Sequence, residues 1–172
     1  SFRKNYPGHE LQPEVTKKVA HVYQEAGKLA LAAAEYERIE TESKDEGIRR
    51  EALQLAAELY TKANEQDKAL QVYRRSVAYF PHPVEMAVET RNKIAEVLKS
   101  RNDKAGYLDE LKQIVEADAN ARSERTDRTR YLGATSSLIL TEPLFAQFAE
   151  IKLVQPFDKS LLKKKAAMKS AN

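Results

Sequence analysis

The chain has 172 residues, 42% of them hydrophobic and 32% charged, a balance that supports a packed core and excludes an intrinsically disordered chain. It contains no cysteine, which removes disulfide staples, thiolate nucleophiles and thiolate metal sites together. The net charge of +3 is uneven: residues 156–172 hold five Lys and one Asp, so the remainder sums to −1, unlike the broad positive footprint of a nucleic-acid binder.

Ala, Leu, Glu, Lys, Gln and Arg dominate, and only 5 Gly and 6 Pro punctuate the chain. These are strong helix formers, so the expected class is all-α. No apolar run approaches the ~18 residues that would span a bilayer. The opening Ser-Phe-Arg-Lys-Asn-Tyr-Pro is not a signal peptide and reads like the middle of a longer chain.

After a lead-in of residues 1–12, Pro13 opens the first helix, since proline suits a first helical turn. Val15, Val19, Val22 and Tyr23 recur at helical spacing, and Gly27 reads as a left-handed cap. Leu29, Ala32, Ala33, Tyr36 and Ile39 carry a second helix, and Lys44-Asp45-Glu46-Gly47 reads as a loop. Leu53, Ala56, Ala57 and Tyr60 mark a third helix, Asn64-Glu65-Gln66-Asp67 a turn, and Ala69, Leu70, Val72, Tyr73 and Val77 a fourth. Phe80-Pro81-His82-Pro83 stops it. Met86, Ile94, Ala95, Val97 and Leu98 mark a fifth helix, Asn102-Asp103 a turn, and Tyr107, Leu108, Leu111, Ile114 and Val115 a sixth. A mixed-charge stretch over 119–130 precedes Tyr131, Leu132, Ala134, Leu138 and Leu140. Thr141-Glu142-Pro143 is expected to start a partner helix carrying Leu144, Phe145, Phe148, Ile151 and Leu153. Gln155-Pro156 breaks the chain before a lysine-rich helix with Lys159, Lys163, Lys164, Lys165 and Lys169. No alternating pattern competes for strands. Helix pairs joined by short turns cannot bury an apolar face alone, so they are expected to stack.

Aligned on their turns, the pairs share a pattern. Val19-Ala20-x-x-Tyr23 precedes Ala32, Tyr36 and Ile39. Ala56-Ala57-x-x-Tyr60 precedes Ala69, Tyr73 and Ser76, then Pro81. Ile94-Ala95-x-x-Leu98 precedes Tyr107 and Leu111. Successive pairs lie 37 and 38 residues apart. Small Ala20, Ala32, Ala57 and Ala69 would let two helices cross closely, with Tyr23, Tyr36, Tyr60 and Tyr73 filling the space beside them.

A small residue and an aromatic, then a small residue nine on and an aromatic four later, closed by Pro81, resembles the tetratricopeptide repeat, whose usual period is ~34 residues. The resemblance implies a right-handed α-solenoid with repeats at about 13–46, 47–83 and 84–120, a degenerate one at 121–155, and a basic terminal helix at 156–172. Some bacterial cell-envelope members of that family look similar along the whole stretch, so the resemblance favours periplasm or cell envelope over cytoplasm. It implies a non-catalytic scaffold that holds a partner protein or peptide on the concave face formed by the first helix of each pair. The groove-facing positions then map onto Glu14, Lys17, His21 and Gln24, onto Glu51, Gln54, Glu58 and Thr61, and onto Glu89, Asn92, Glu96 and Lys99. This surface is expected to be polar, acidic toward its middle and poor in apolar anchors, and to receive a basic or polar partner. One subgroup clamps a C-terminal carboxylate. Here Lys17 matches that set and Lys93 matches in charge, but His21 and Leu55 stand for its asparagines and Glu89 for a lysine, so no clamp is expected.

Alternative roles are a spacer inside a larger repeat protein, or membrane or nucleic-acid contact through the lysine-rich segment. The uncovered ends of a stack can also pair between chains. Nothing in the sequence requires a cofactor or metal. His9, His21 and His82 are scattered away from ligand spacing, and His21 is expected to have no acidic neighbour one turn on. Gly8, Gly27, Gly47, Gly106 and Gly133 stand singly, so there is no phosphate loop, and no Gly-x-Ser-x-Gly occurs.

Overall fold

The computed structural model describes the backbone of residues 12–154 and the side chains of residues 13–142. Among the described residues the fold is all-helical: α1 (Gln12–Glu25), α2 (Leu29–Glu42), α3 (Glu46–Lys62), α4 (Gln66–Tyr79), α5 (Val84–Ser100), α6 (Lys104–Ala119), a 3-10 turn (Arg122–Glu124) and α7 (Asp127–Val154). Two compact units divide at 110/111, inside α6. The lead-in and the expected basic helix with its five lysines fall outside the described residues.

In the first unit α1 packs on α2, α2 on α3, α3 on α4 and α4 on α5. The turns inside the three pairs are copies of one another. Gly27, Asn64 and Asn102 take left-handed φ values of 77°, 62° and 61°, a conformation that costs most L-residues and that Gly and Asn tolerate. The following amide then reaches back across the turn: Lys28 to the Tyr23 carbonyl at 2.8 Å, Glu65 to Tyr60 at 2.8 Å and Asp103 to Leu98 at 2.9 Å. A second bond, from Gly27 to Gln24, Asn64 to Thr61 and Asn102 to Lys99, is 3.0 Å in all three. Together these satisfy the last carbonyls of α1, α3 and α5 and release the chain directly into the next helix. The same device at 37- and 38-residue spacing gives the alignment of the pairs a backbone basis.

Between the paired helices the alanines do what their size predicts. Ala20, Ala32, Ala57 and Ala69 are fully buried. Tyr36, Tyr60 and Tyr73 are buried in the same cluster, with Tyr23 and Tyr107 packed against it. Tyr107 takes a half-buried position where the repeat pattern has a small residue. Polar ties then fix the order of the helices. The Tyr60 hydroxyl donates to Glu37, which also receives Arg75 at 2.9 Å. Thr16 donates to Glu42 at 2.8 Å, joining α1 to α2. Arg49 reaches Glu40 at 2.8 Å, joining α2 to α3. Glu110, 1% exposed, receives Arg91 at 2.7 Å and Arg74 at 3.4 Å, so its buried charge is compensated from α4 and α5.

The second unit is built differently. Asp118, near the end of α6, accepts a two-pronged bond from Arg125 at 3.0 and 2.9 Å and a third from the Thr129 hydroxyl at 2.8 Å. Thr126 and Thr129 exchange amide-to-hydroxyl bonds at 3.0 and 3.2 Å, a reciprocal cap for the start of α7. Gly133 packs over this node, where a Cβ would lie 3.0 Å from an Asp118 oxygen.

The helix pair expected around Pro143 is not formed: α7 continues without a break from Asp127 to Val154. Proline forfeits only its own amide bond and need not end a helix that tertiary or local forces favour. After Gly133 no Gly or Asn occurs before Val154, so nothing supplies the left-handed residue that terminates α1, α3 and α5.

Candidate functional site: grooves on the first-unit helices

Among the described residues, two concavities can be traced on the first unit. The larger, with a volume of about 680 Å³, lies between α1, α2 and α3. Its apolar surface comes from Val22 on α1, Tyr36 and Ile39 on α2, and Ile48, Ala52 and Leu55 on α3. Its acidic and basic residues are Glu14, Lys17, Lys18 and His21 on one side and Glu51 on the other. Val22 is 65% exposed and Ile48 49%, so both keep apolar surface open to water. Burial first, and the Glu51 carboxylate second, push the Tyr36 hydroxyl above its ordinary pKa; Tyr36 is therefore a neutral part of the groove.

The smaller groove, about 230 Å³, lies between α3, α4 and α5 and is lined by Arg50, Gln54, Phe80, Met86, Glu89 and Lys93 among others. Arg50 lies over the Phe80 ring, 5.5 Å from its centroid, and bonds Glu46 at 2.8 Å. Gln54 is occupied structurally: its amide donates to Ser76 at 3.0 Å and to Thr90 at 2.8 Å, linking three helices.

The residues expected to form one groove are divided by this geometry. Lys17, His21 and Glu51 meet in the larger groove, and Gln54 and Glu89 line the smaller. Glu58 sits 3.7 Å from Lys93. Burial, then Glu58, push the Tyr73 hydroxyl up to about 12; a bond with Thr61 pulls it down and Glu96 adds a smaller upward push. Glu58, Thr61 and Glu96 thus share the surroundings of one buried tyrosine. Gln24 is exposed on α1 and Asn92 half-buried on α5, and neither lines a described groove.

Two expectations need correction. The surface is not poor in apolar anchors, because Val22, Ile48 and Leu55 supply them. The signal for them is helical: Ile48, Ala52 and Leu55 recur at i, i+4 and i+7, along the edge of the core stripe of Leu53, Ala56, Ala57 and Tyr60, with Ala52 buried, Leu55 half-buried and Ile48 exposed. Nor is His21 without an acidic neighbour, since Glu25 follows it by one turn and its carboxylate lies 3.5 Å from Nε2. Both side chains are well exposed, which makes the pair a weak one.

Among the described residues no three His, Asp or Glu are grouped to hold a metal ion, and no helix is long and apolar enough to cross a membrane. The architecture defines the class: an all-α, helical-repeat-like protein with open interhelical grooves. No family model, curated protein or solved structure matches the chain.

Proposed function

We propose that this chain is a non-catalytic interaction scaffold, a right-handed superhelix of tetratricopeptide-like pairs, and that the groove between α1, α2 and α3 holds a segment of a partner protein. The observation that carries the reading is the exposed apolar surface of Val22 and Ile48, with half-buried Leu55 beside them, over a floor of Tyr36 and Ile39. A soluble surface gains nothing by displaying such a strip unless something covers it, and a concave apolar site with a few charged groups at its edge is the usual form of a recognition site. The left-handed turns recur through three pairs at 37- and 38-residue spacing, and the Ala–Tyr packing recurs through the first two; both support the repeat type.

Selection of random displayed peptides on the full chain tests the groove. Selected peptides should lose about tenfold or more in affinity, ~1.4 kcal/mol, on Ile48→Arg and on Leu55→Arg. They should bind Leu31→Arg normally, because Leu31 is exposed on α2 away from the groove. Equal binding to all three variants would remove the groove from the function.

A further inference from the structure

We infer that the occupant of the α1–α2–α3 groove is an amphipathic helix with an acidic flank toward α1 and a basic flank toward α3, an inference that rests on the function just proposed. Three observations lead to it.

The first is anchor spacing. Ile48 and Leu55 are seven residues apart on α3, two helical turns or ~10.5 Å. Val22 faces them from α1, with Tyr36 and Ile39 between. An occupant whose apolar residues recur every three to four positions along a parallel axis would meet both α3 anchors and the α2 floor.

The second is hydrogen-bond supply. All three walls are helices whose interior amides and carbonyls bond within the helix. The polar groups left in the groove are the side chains of Glu14, Lys17, Lys18, His21 and Glu51 and the Tyr36 hydroxyl. An extended peptide brings an amide and a carbonyl per residue and normally takes its partners from a strand edge. This groove has no such edge, whereas a helical occupant satisfies its own backbone.

The third is charge. Lys17 and Lys18 outnumber Glu14 on the α1 side, which is net positive, and Glu51 makes the α3 side negative. Among the described residues neither lysine joins an ion pair. Opposite signs on the two edges fit a helix whose flanks carry opposite signs, and they disfavour one that is uniformly basic or uniformly acidic.

The probe is a blocked peptide of about 16 residues, long enough for helix formation on binding. It carries leucines at helical spacing, glutamates on one flank and lysines on the other. Binding to the full chain is read by fluorescence anisotropy. The inference expects saturable binding that weakens roughly tenfold or more, ~1.4 kcal/mol, when a central residue becomes proline. It also expects loss on Ile48→Arg and on Leu55→Arg, and weaker binding of an isomer with lysine on both flanks. The double variant Lys17→Glu, Lys18→Glu should reverse that last preference.

If the proline isomer binds equally well through the groove, the occupant is extended; the helix inference is then overturned while the peptide-binding reading stands. If neither designed nor display-selected peptides respond to Ile48→Arg, the groove reading itself falls. A concentration-dependent dimer that Ile48→Arg dissolves, and with which the peptide does not compete, would make the occupant a second copy of this chain and would also overturn the inference.

Discussion

In residues 12–110 the same few apolar residues and the same turn are used three times, whereas residues 111–142 are organised around one buried aspartate. In the first region Ala20, Ala57 and Ala95 recur at one position of the pattern, and Gly27, Asn64 and Asn102 at another. In the second, Asp118 collects Arg125 and Thr129 across the connection from α6 to α7. Repeated apolar packing spreads stability over many contacts that each resemble their neighbours. A polar node concentrates it in groups that must all be satisfied at once. The two regions should therefore respond to different disturbances.

The largest effect is expected in the repeated region. Tyr60→Ala empties a buried aromatic site and orphans Glu37 of its hydroxyl bond, and should cost ~3–5 kcal/mol in urea unfolding, as large aromatic truncations do. A loss near zero would show that the alanine–tyrosine interlock does not hold the pairs together.

Asp118 should dominate the other region. Burial alone would raise its carboxyl, but the bonds from Arg125 and Thr129 and the charges of Arg125 and Arg130 outweigh burial and hold it below 3.8. A lowered carboxylate stabilises the fold fully above its unfolded value. It loses that contribution as the pH falls from there through the folded value. Asp118→Asn should cost ~1–3 kcal/mol at neutral pH by leaving buried donors unmatched. It should also flatten the acid-side decline of stability below 3.8, read as midpoints across a pH series. An unchanged acid limb would place that dependence elsewhere.

Gly133→Ala sharpens the contrast. On helix propensity the change favours α7 by ~1 kcal/mol. The new methyl, however, would meet Asp118, held by Arg125 and Thr129 and unable to yield. The net result should be a loss of about 1 kcal/mol, small-to-large changes in tight packing costing ~1–3 kcal/mol. A gain in melting temperature would show that the node moves freely.

The smallest change tests the turns. Asn64→Ala places a Cβ-bearing residue without a stabilising side-chain amide at φ 62° and should cost about 1 kcal/mol. Asn64→Gly should be nearly neutral, because Gly27 performs the same task. Equal penalties for both variants would mean that the side chain of Asn64, not its backbone angle, is what the turn requires.

The pattern that made residues 12–110 legible is what residues 111–154 lack. Helical periodicity, small residues at crossings and Gly or Asn at turns are local signals, and they suffice to locate α1 to α6 without knowledge of any tertiary contact. Asp118, Arg125 and Thr129 carry no periodic signature, so nothing distinguished them from the mixed charges around them. Among the apolar residues at the start of α7, Leu132 is buried while Tyr131 and Leu138 are exposed. The proline at 143 was read as a break, and the helix runs through it. The candidate site divides in the same way. Lys17, His21 and Glu51 were anticipated as groove residues; Val22 and Ile48 were not, because an apolar side chain on an amphipathic helix is assigned to the core by default.

By itself the sequence determined α1 to α6, the three turns and the alanine–tyrosine interlock, since each depends on residues a few positions apart and on side-chain size. Only the tertiary structure decided that some of the expected groove residues divide between two concavities while others line neither, that Gln54 and Glu58 are engaged by residues of other helices, and that Ile48 is exposed while Leu55 packs partly against the core and partly lines the groove. Those outcomes depend on which helix faces which across tens of residues, and helical periodicity fixes a face without naming its neighbour.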